Sequence, residues 1–215
     1  GVSLPLFAFA EYNLYHKSAN KKRIKEVMPY LQKYMTWLDE NFKQENGLYS
    51  VPVAACEMKN SPRGDVCYPV DFNACMAINA AHMAALGDIL NDKELIFQYK
   101  KMYFSIKTRI NNLMWDEETQ FYYDLDKDEN RLSTTTIAAY WTLLAEIPNG
   151  DKADFLVDHL NNPESFGTEQ PFPTLSVDNP NFSEDGNGYC GSVYPAFNFM
   201  VIKGLEKYGY YELAR

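Results

Sequence analysis

The chain has 215 residues, enough for one domain or two small ones, and 29 acidic against 20 basic residues give a formal net charge of −9. This charge argues against binding to nucleic acid or to an anionic membrane, because both need an excess of Lys and Arg. Hydrophobic residues make up 46 %, and a chain of this length buries roughly 70 % of its surface on folding. These values exclude a disordered tail or a coil. No apolar run reaches the length of about 18 residues that would predict a membrane span.

Aromatic residues are frequent, with 16 Tyr, 13 Phe and 3 Trp making up 15 % of the chain. Such rings fill large helical cores, and they also line sugar-binding clefts, where flat rings meet the apolar faces of sugars. Composition alone leaves both interpretations open and favours the core.

In chain order, seven helices are predicted from the spacing of apolar residues, and they cover Leu4–Tyr15, Ile24–Phe42, Val70–Leu90, Ile96–Leu113, Ser133–Ile147, Asp151–Leu160 and Val193–Tyr208. The second, fourth and sixth are amphipathic. The third, fifth and seventh are apolar over most of their surface, as expected of helices buried on most faces. One short alternation at residues 120–126 predicts a small β-excursion.

The three buried-type helices begin about 60 residues apart, and each follows a polar loop. The loops are Asn60–Asp65, Asp124–Arg131 and Glu184–Gly191. This repeat predicts stacked helical hairpins, which either form an open solenoid or curl into an (α/α)6 toroid. The toroid is favoured because loops at the N-terminal ends of inner helices would converge on one mouth. Seven helices of the twelve in a six-hairpin ring predict a single, partial toroid domain over residues 1–215, with self-association through the incomplete ring.

The start of the chain shows neither an initiating Met nor a signal-peptide pattern. The chain is therefore interpreted as an excised piece or a mature form, and a periplasmic, secreted or cytoplasmic location stays open. The cysteines fit no CxxC motif. Cys56 and Cys67 bracket a polar loop and could pair in an oxidising compartment, but four free thiols are the favoured prediction. No metal site is predicted, because Asp126–Asn130 lacks the Gly and the final Glu of a calcium loop. His82, in an apolar helix, is predicted to be a hydrogen-bonded core residue.

An ordered set of motifs resembles a known class of enzymes, the six-hairpin glycosidases. The motifs are Asn60-Ser-Pro-Arg63, Val70-Asp-Phe-Asn73, Met114-Trp-Asp-Glu-Glu with Phe121-Tyr-Tyr-Asp124, and Gly191-Ser-Val-Tyr-Pro195. The most similar groups are the mannosylglycerate-hydrolase-like enzymes, the processing α-glucosidases of glycoside hydrolase family 63, and the trehalases. The resemblance covers nearly the whole chain. It implies an (α/α)6 toroid that hydrolyses sugar linkages with inversion.

Inversion uses an acid and a base carboxyl group about 6.5–9.5 Å apart, so that a water molecule fits between them. The resemblance places the acid in a Gly-Met-Asp-Asn-Ser-Pro-Arg stretch. Here that stretch reads Glu57-Met-Lys-Asn-Ser-Pro-Arg, so Lys59 stands in the acid's position. Glu57 is the candidate catalytic carboxylate, although an ion pair with Lys59 or Arg63 is the favoured alternative for it. The family's base Glu has no counterpart in these 215 residues, and Cys190 replaces a sugar-binding Arg.

The predicted substrate-binding residues are those that the resemblance places around the cleft, namely Asn60, Arg63, Asp65, Trp115, Tyr189 and Tyr194. Asn60, Arg63, Trp115 and Tyr189 are predicted to border one concave cleft. For Arg63, a clamp on a ligand and an anchor for its own loop are weighed evenly. Asp71 is predicted to complement the N-terminus of the next helix instead of doing chemistry.

Two functions follow from these residues. The first is hydrolysis of an α-linked glucoside or mannoside in carbohydrate metabolism. The alternative is a non-catalytic carbohydrate-binding or structural relative, and Lys59 is the feature that separates the two. A helical-repeat protein-binding scaffold is a third interpretation, which needs a concave surface lined by helix faces. A carbohydrate is the expected partner, and no cofactor, nucleic acid or membrane is predicted.

Overall fold

The computed structural model describes residues 2–56, 58 and 61–215, and it confirms the all-α class. The α-helices of this part of the chain are α1 (Phe7–Ser18), α2 (Lys21–Phe42), α3 (Val70–Leu90), α4 (Lys93–Arg109), α5 (Trp141–Leu144), α6 (Lys152–Asn161) and α7 (Pro195–Tyr208). Short 3-10 helices cover Val53–Ala55 and Ile137–Tyr140, and one π-helical turn, Ile110–Met114, continues α4. The strands β1 (Trp115–Asp116) and β2 (Phe121–Tyr122) pair antiparallel as the predicted β-excursion.

The fifth predicted helix is shorter than expected. Residues 133–136 are not helical, and the chain turns through the 3-10 helix before the single α-turn of α5. Three consecutive β-branched residues, Thr134 to Thr136, favour extended backbone. Thr136 forms a β-bridge with Leu175, so this segment is bound to a neighbouring loop instead of to its own helix.

Helix α3 is the centre of the packing and contacts α1, α2, α4 and α5. Its Ala-rich sequence lets neighbours approach from several sides, as expected of a helix without a single apolar stripe. Two buried asparagines tie it to distant backbone. The side-chain oxygen of Asn79 accepts from the Ala8 amide at 2.8 Å, and that of Asn73 accepts from the Tyr49 amide at 2.8 Å. The position of α3 is therefore fixed near its start and at its middle.

Helices α2 and α4 lie outside α3, as their amphipathic sequences predict. α2 buries one stripe, Ile24, Met28, Leu31, Met35 and Leu38. α4 buries Leu95, Tyr99 and Ile106 and begins at a side-chain cap, where Asp92 accepts from the Glu94 and Leu95 amides. On the other side of α3, α5 packs closely against α7. A side chain at Gly204 would lie 2.7 Å from the Leu143 Cβ, which accounts for the glycine there.

Two predictions about single residues are confirmed within this core. His82 lies 2.6 Å from the Ile78 carbonyl through its Nδ1 and packs edge-on against Phe9 and Tyr12. Burial lowers the pKa of His82. None of the four cysteines forms a disulfide bond, so the alternative pairing of Cys56 with Cys67 is not formed. Among the described residues, no helix combines the length and apolarity needed to cross a membrane.

Large apolar side chains are exposed at both ends of the helix series. Phe7 on α1 is 57 % exposed and Phe199 on α7 is 52 % exposed, and Leu14 and Trp37 are also exposed. Apolar patches of this kind favour association.

We expect dimers or larger species in sedimentation velocity at high protein concentration. Phe7→Ser and Phe199→Ser should shift the distribution towards monomer, whereas Tyr211→Ser, which removes a similarly exposed ring, should not. A clean monomer of the unmodified chain at its highest soluble concentration would contradict this expectation.

Candidate functional site

The loops that precede α3, the 3-10 helix at Ile137 and α7 form one hydrogen-bonded surface. The first loop joins the second through the amides of Cys67 and Tyr68, which donate to the Leu125 carbonyl at 2.9 and 3.0 Å. The second joins the third through the Ile137 amide and the Thr174 carbonyl at 3.1 Å. Thr174 in turn donates its amide to the Ser192 carbonyl at 3.0 Å. These bonds bring together the segments that precede α3, the 3-10 helix at Ile137 and α7, as convergence of the loops requires.

Arg63 lies at the centre of the first two loops, with only 1 % of its surface exposed. Its guanidinium donates to both oxygens of Asp124 at 2.7 Å and to both oxygens of Asp71 at 2.9 Å. Bidentate pairs of this kind fix orientation as well as distance. We call Arg63, Asp71 and Asp124 the arginine cluster. It joins the first loop, the start of α3 and the segment that follows β2.

Both carboxylates of the arginine cluster also stabilise the N-terminus of α3. Asp124 accepts from the Val70 amide at 2.8 Å, and Asp71 accepts from the Phe72 amide at 2.9 Å. The single positive charge of the guanidinium balances only one of the two carboxylates. The free amides and the dipole at the helix N-terminus stabilise the remaining negative charge. The predicted role of Asp71 at this helix start is thus confirmed. Asp124, in contrast, was missed as a partner, although a buried Arg requires an acid from outside its own loop.

The electrostatics of the arginine cluster keep Arg63 charged. Burial alone would lower the pKa of its guanidinium, but the charges and hydrogen bonds of Asp124 and Asp71 outweigh burial and raise that pKa well above its ordinary value. Burial raises the pKa of the neighbouring Cys56 thiol, and the Asp71 carboxylate raises it further. Both effects favour the thiol over the thiolate, which is the nucleophilic form.

This burial decides between the two roles that were weighed for Arg63. Both terminal nitrogens and Nε donate to carboxylates of the chain itself, and the residue has almost no exposed surface. In this structure Arg63 anchors its loop, and it does not border an open cleft. The loop above it is ordered further by Thr134, whose hydroxyl donates to the Pro62 carbonyl at 2.9 Å.

Trp115 also departs from the prediction. The ring is 3 % exposed, lies edge-on to Tyr122 at 4.7 Å between centroids, and has the Lys152 ammonium 4.6 Å from its centroid. A ring covered on these sides packs within the β-hairpin. The motif predicted that Trp115 borders the cleft, but the β1–β2 hairpin turns the ring inwards.

Tyr189 and Tyr194, two of the predicted substrate-binding residues, lie close together, with ring centroids 4.9 Å apart. Phe197 completes the group at 6.0 and 5.7 Å from the two tyrosines. With Trp141 and Leu4, these rings line an open cleft of about 470 Å³. We call it the aromatic cleft. It lies where the third loop enters α7, and flat rings at such a position suit the apolar faces of a sugar.

The remaining predicted residues are distributed differently. Asp65 is exposed on the first loop, next to Gly64. Glu57, Lys59 and Asn60 lie outside the described residues. Trp141 and Phe197 line the aromatic cleft but were not predicted there, because each lies within a predicted helix. No group of metal-ligating side chains occurs among the residues that the structure describes.

Replacing Arg63 tests the arginine cluster. In Arg63→Met two buried carboxylates lose their counter-charge, and loss of one partner of a buried ion pair costs about 3–5 kcal/mol. We expect the free energy of unfolding, measured by urea denaturation, to fall by that amount.

Arg131→Met is the matched control, because Arg131 pairs with Asp116 at 3.2 Å on a half-exposed surface. Exposed pairs contribute about 0–1 kcal/mol, so this variant should be close to the unmodified chain. If both variants lost the same free energy of unfolding, the arginine cluster would contribute no more to stability than an exposed ion pair.

Helical hairpins whose loops meet at one end, with an aromatic cleft among them, define an all-α domain of the toroid glycosidase class. The chain belongs to the family of mannosylglycerate hydrolase MGH1-like glycoside hydrolase domains, whose family model matches residues 2–215. An uncharacterized protein of Borreliella burgdorferi is 54 % identical over 214 residues, which are 100 % of this chain and 45 % of that protein. A mannosylglycerate hydrolase of Thermus thermophilus is 30 % identical over 103 residues, 47 % of this chain and 24 % of that enzyme. The chain thus spans less than half the length of these curated relatives.

Solved structures show the same fold. A GH63 mannosylglycerate hydrolase from Thermus thermophilus in complex with glucose superposes with a TM-score of 0.87 and 21 % identity, covering 99 % of this chain and 64 % of that one. The same enzyme in complex with Tris and D-glycerate superposes with a TM-score of 0.87 and 19 % identity, covering 99 % of this chain and 66 % of that one. The fold is therefore that of the (α/α)6 toroid proteins, as predicted.

Proposed function

We propose that this domain binds an α-linked glucoside or mannoside in the aromatic cleft. The observation that carries the proposal is the grouping of Tyr189, Tyr194 and Trp141 around one open cleft at the loop surface. Family membership supports the sugar class, as does the likeness to an enzyme crystallised with glucose and with D-glycerate.

For the chemistry, we propose the inverting scheme, in which an acid protonates the glycosidic oxygen while a base activates water. Lys59 in the acid's position has no carboxylic proton to deliver, and an acid of this kind contributes about 10²–10⁴-fold in rate. Glu57, two residues away, is the one carboxylate that we propose as a substitute. Its pKa would have to be raised by a dry environment, and the Lys59 ammonium opposes that. We therefore expect the 215-residue chain to hydrolyse sugars weakly or not at all.

The non-catalytic alternative is favoured by the same residue. A chain that keeps the aromatic cleft but carries Lys59 would bind a carbohydrate without cleaving it. The two functions share their ligand and differ only in turnover, so one experiment addresses both.

The experiment measures reducing-sugar release from α-glucosides, α-mannosides, trehalose and mannosylglycerate, together with sugar binding by calorimetry. We expect binding with little or no turnover. Tyr194→Ala should weaken binding about fivefold, since one aromatic contact contributes about 1 kcal/mol. Tyr30→Ala is the control, because it removes an even more exposed tyrosine ring from α2, and it should leave binding unchanged.

Two variants assign the chemistry. Turnover that disappears in Glu57→Gln but survives in Glu118→Gln, a control in the β-hairpin turn, would make Glu57 the acid and overturn the non-catalytic alternative. Turnover gained by Lys59→Asp in the full gene product would show that only the acid is altered. If neither binding nor turnover occurs with any of these sugars, the proposed function is wrong.

A further inference from the structure

Helix α4 differs in charge from the rest of the chain. Its sequence contains five basic residues, Lys93, Lys100, Lys101, Lys107 and Arg109, against the single acid Glu94, a net charge of +4. Because the whole chain carries −9, the remainder carries −13. A basic helix on a strongly acidic domain is a local feature that solubility does not require.

The outward face of α4 carries two exposed phenylalanines. Phe97 is 71 % exposed and Phe104 is 59 % exposed. They lie seven residues apart, which is two helical turns or about 10.5 Å along the axis. Lys93 and Lys100 occupy the same face at the intervening spacing, so the face reads Lys93, Phe97, Lys100, Phe104. The buried stripe with Leu95 lies on the opposite side, and neither phenylalanine belongs to the buried core.

A groove of about 380 Å³ runs between the two rings. Its floor includes Ile96, and its rim carries Lys93, Lys100 and Lys101. None of these three lysines forms an ion pair within the described part of the chain, whereas Lys152, Lys203 and Lys207 each pair with a carboxylate. Apolar rings and unpaired ammonium groups are thus exposed together.

We propose that this face of α4 is a docking site for an acidic amphipathic helix of a partner protein. Phe97 and Phe104 are spaced two turns apart, which matches a partner helix that presents one apolar side chain per turn. One of the partner's apolar side chains would enter the groove between the two rings. Carboxylates beside that apolar stripe would pair with Lys93, Lys100 and Lys101. Charge complementarity therefore selects an acidic partner, and the two rings provide most of its affinity.

A helix fits this face better than an anionic membrane does. Charges in solution are screened over about 8 Å at physiological ionic strength, so a helix about 10–12 Å wide experiences mainly α4. A flat bilayer would extend over the acidic remainder of the domain. The acids beside this face include Asp92, the N-cap of α4, and Glu94 on α4 itself, with Asp88 and Glu146 in the adjoining groove. The Glu146 carboxylate is already paired with Lys207 at 2.7 Å.

The test is selection of a phage-displayed library of 16-residue peptides on the 215-residue chain, with binders to Phe97→Ser/Phe104→Ser removed. We expect enriched sequences to be acidic, with apolar residues at i, i+3 or i+4, and i+7. A synthetic copy of the most enriched peptide should bind about tenfold more weakly to the double variant, because two central ring contacts are lost. Lys100→Glu/Lys101→Glu should weaken binding similarly, and 0.3 M salt should weaken it severalfold.

Tyr30→Ser and Lys22→Glu on α2 are matched controls, because both residues are highly exposed on another outer helix. They should leave peptide binding unchanged. The proposal is overturned if no peptide prefers the unmodified chain, or if the selected peptides are not acidic. It is also overturned if phosphatidylcholine vesicles with 30 % phosphatidylserine bind through Phe97 and Phe104 while peptides do not.

Discussion

The pairing of Arg63 with two carboxylates from different parts of the chain is the constraint on which the loop surface depends. Asp71 belongs to α3 and Asp124 follows β2, so one guanidinium links the first loop to the helix that comes next and to a segment 61 residues further along the chain. Because such a cation cannot be left unpaired in the interior, the first loop has one stable position relative to α3. The same carboxylates accept hydrogen bonds from amides at the α3 N-terminus. The pairing that orders the first loop therefore also fixes the start of the helix.

The loop surface and the outer helices differ in how they expose aromatic side chains. At the N-terminal ends of the inner helices, backbone hydrogen bonds join the loops, and the aromatic cleft opens where the third loop enters α7. The outer helix α4 contributes only one face to the core and leaves Phe97 and Phe104 in solvent. A sugar ligand at the first place and a protein partner at the second would not compete, since α3 lies between them.

Sequence patterns predicted the helices well where packing follows a single periodicity, and α3 begins and ends at the predicted residues. The exception was the segment around Thr134–Thr136, whose partner, the loop at Leu175, is not visible in any local pattern. Site residues were harder to predict from the sequence, because their partners are also not visible in a local pattern. Tyr189 and Tyr194 are close in sequence and were found together, but the burial of Arg63 and Trp115 depends on Asp124, Tyr122 and Lys152, which are far away or turned by the hairpin.

The most direct test of the account is hydrogen exchange, followed by mass spectrometry, in Arg63→Lys. Lysine keeps the positive charge but cannot form four directed hydrogen bonds to two carboxylates. The account predicts faster exchange in residues 61–69 and 123–137, and a smaller increase in the bonded segment 172–178, with α4 and α6 unchanged. Unchanged exchange in these loops, or a uniform increase over the whole chain, would contradict the claim that the arginine cluster holds the loop surface together.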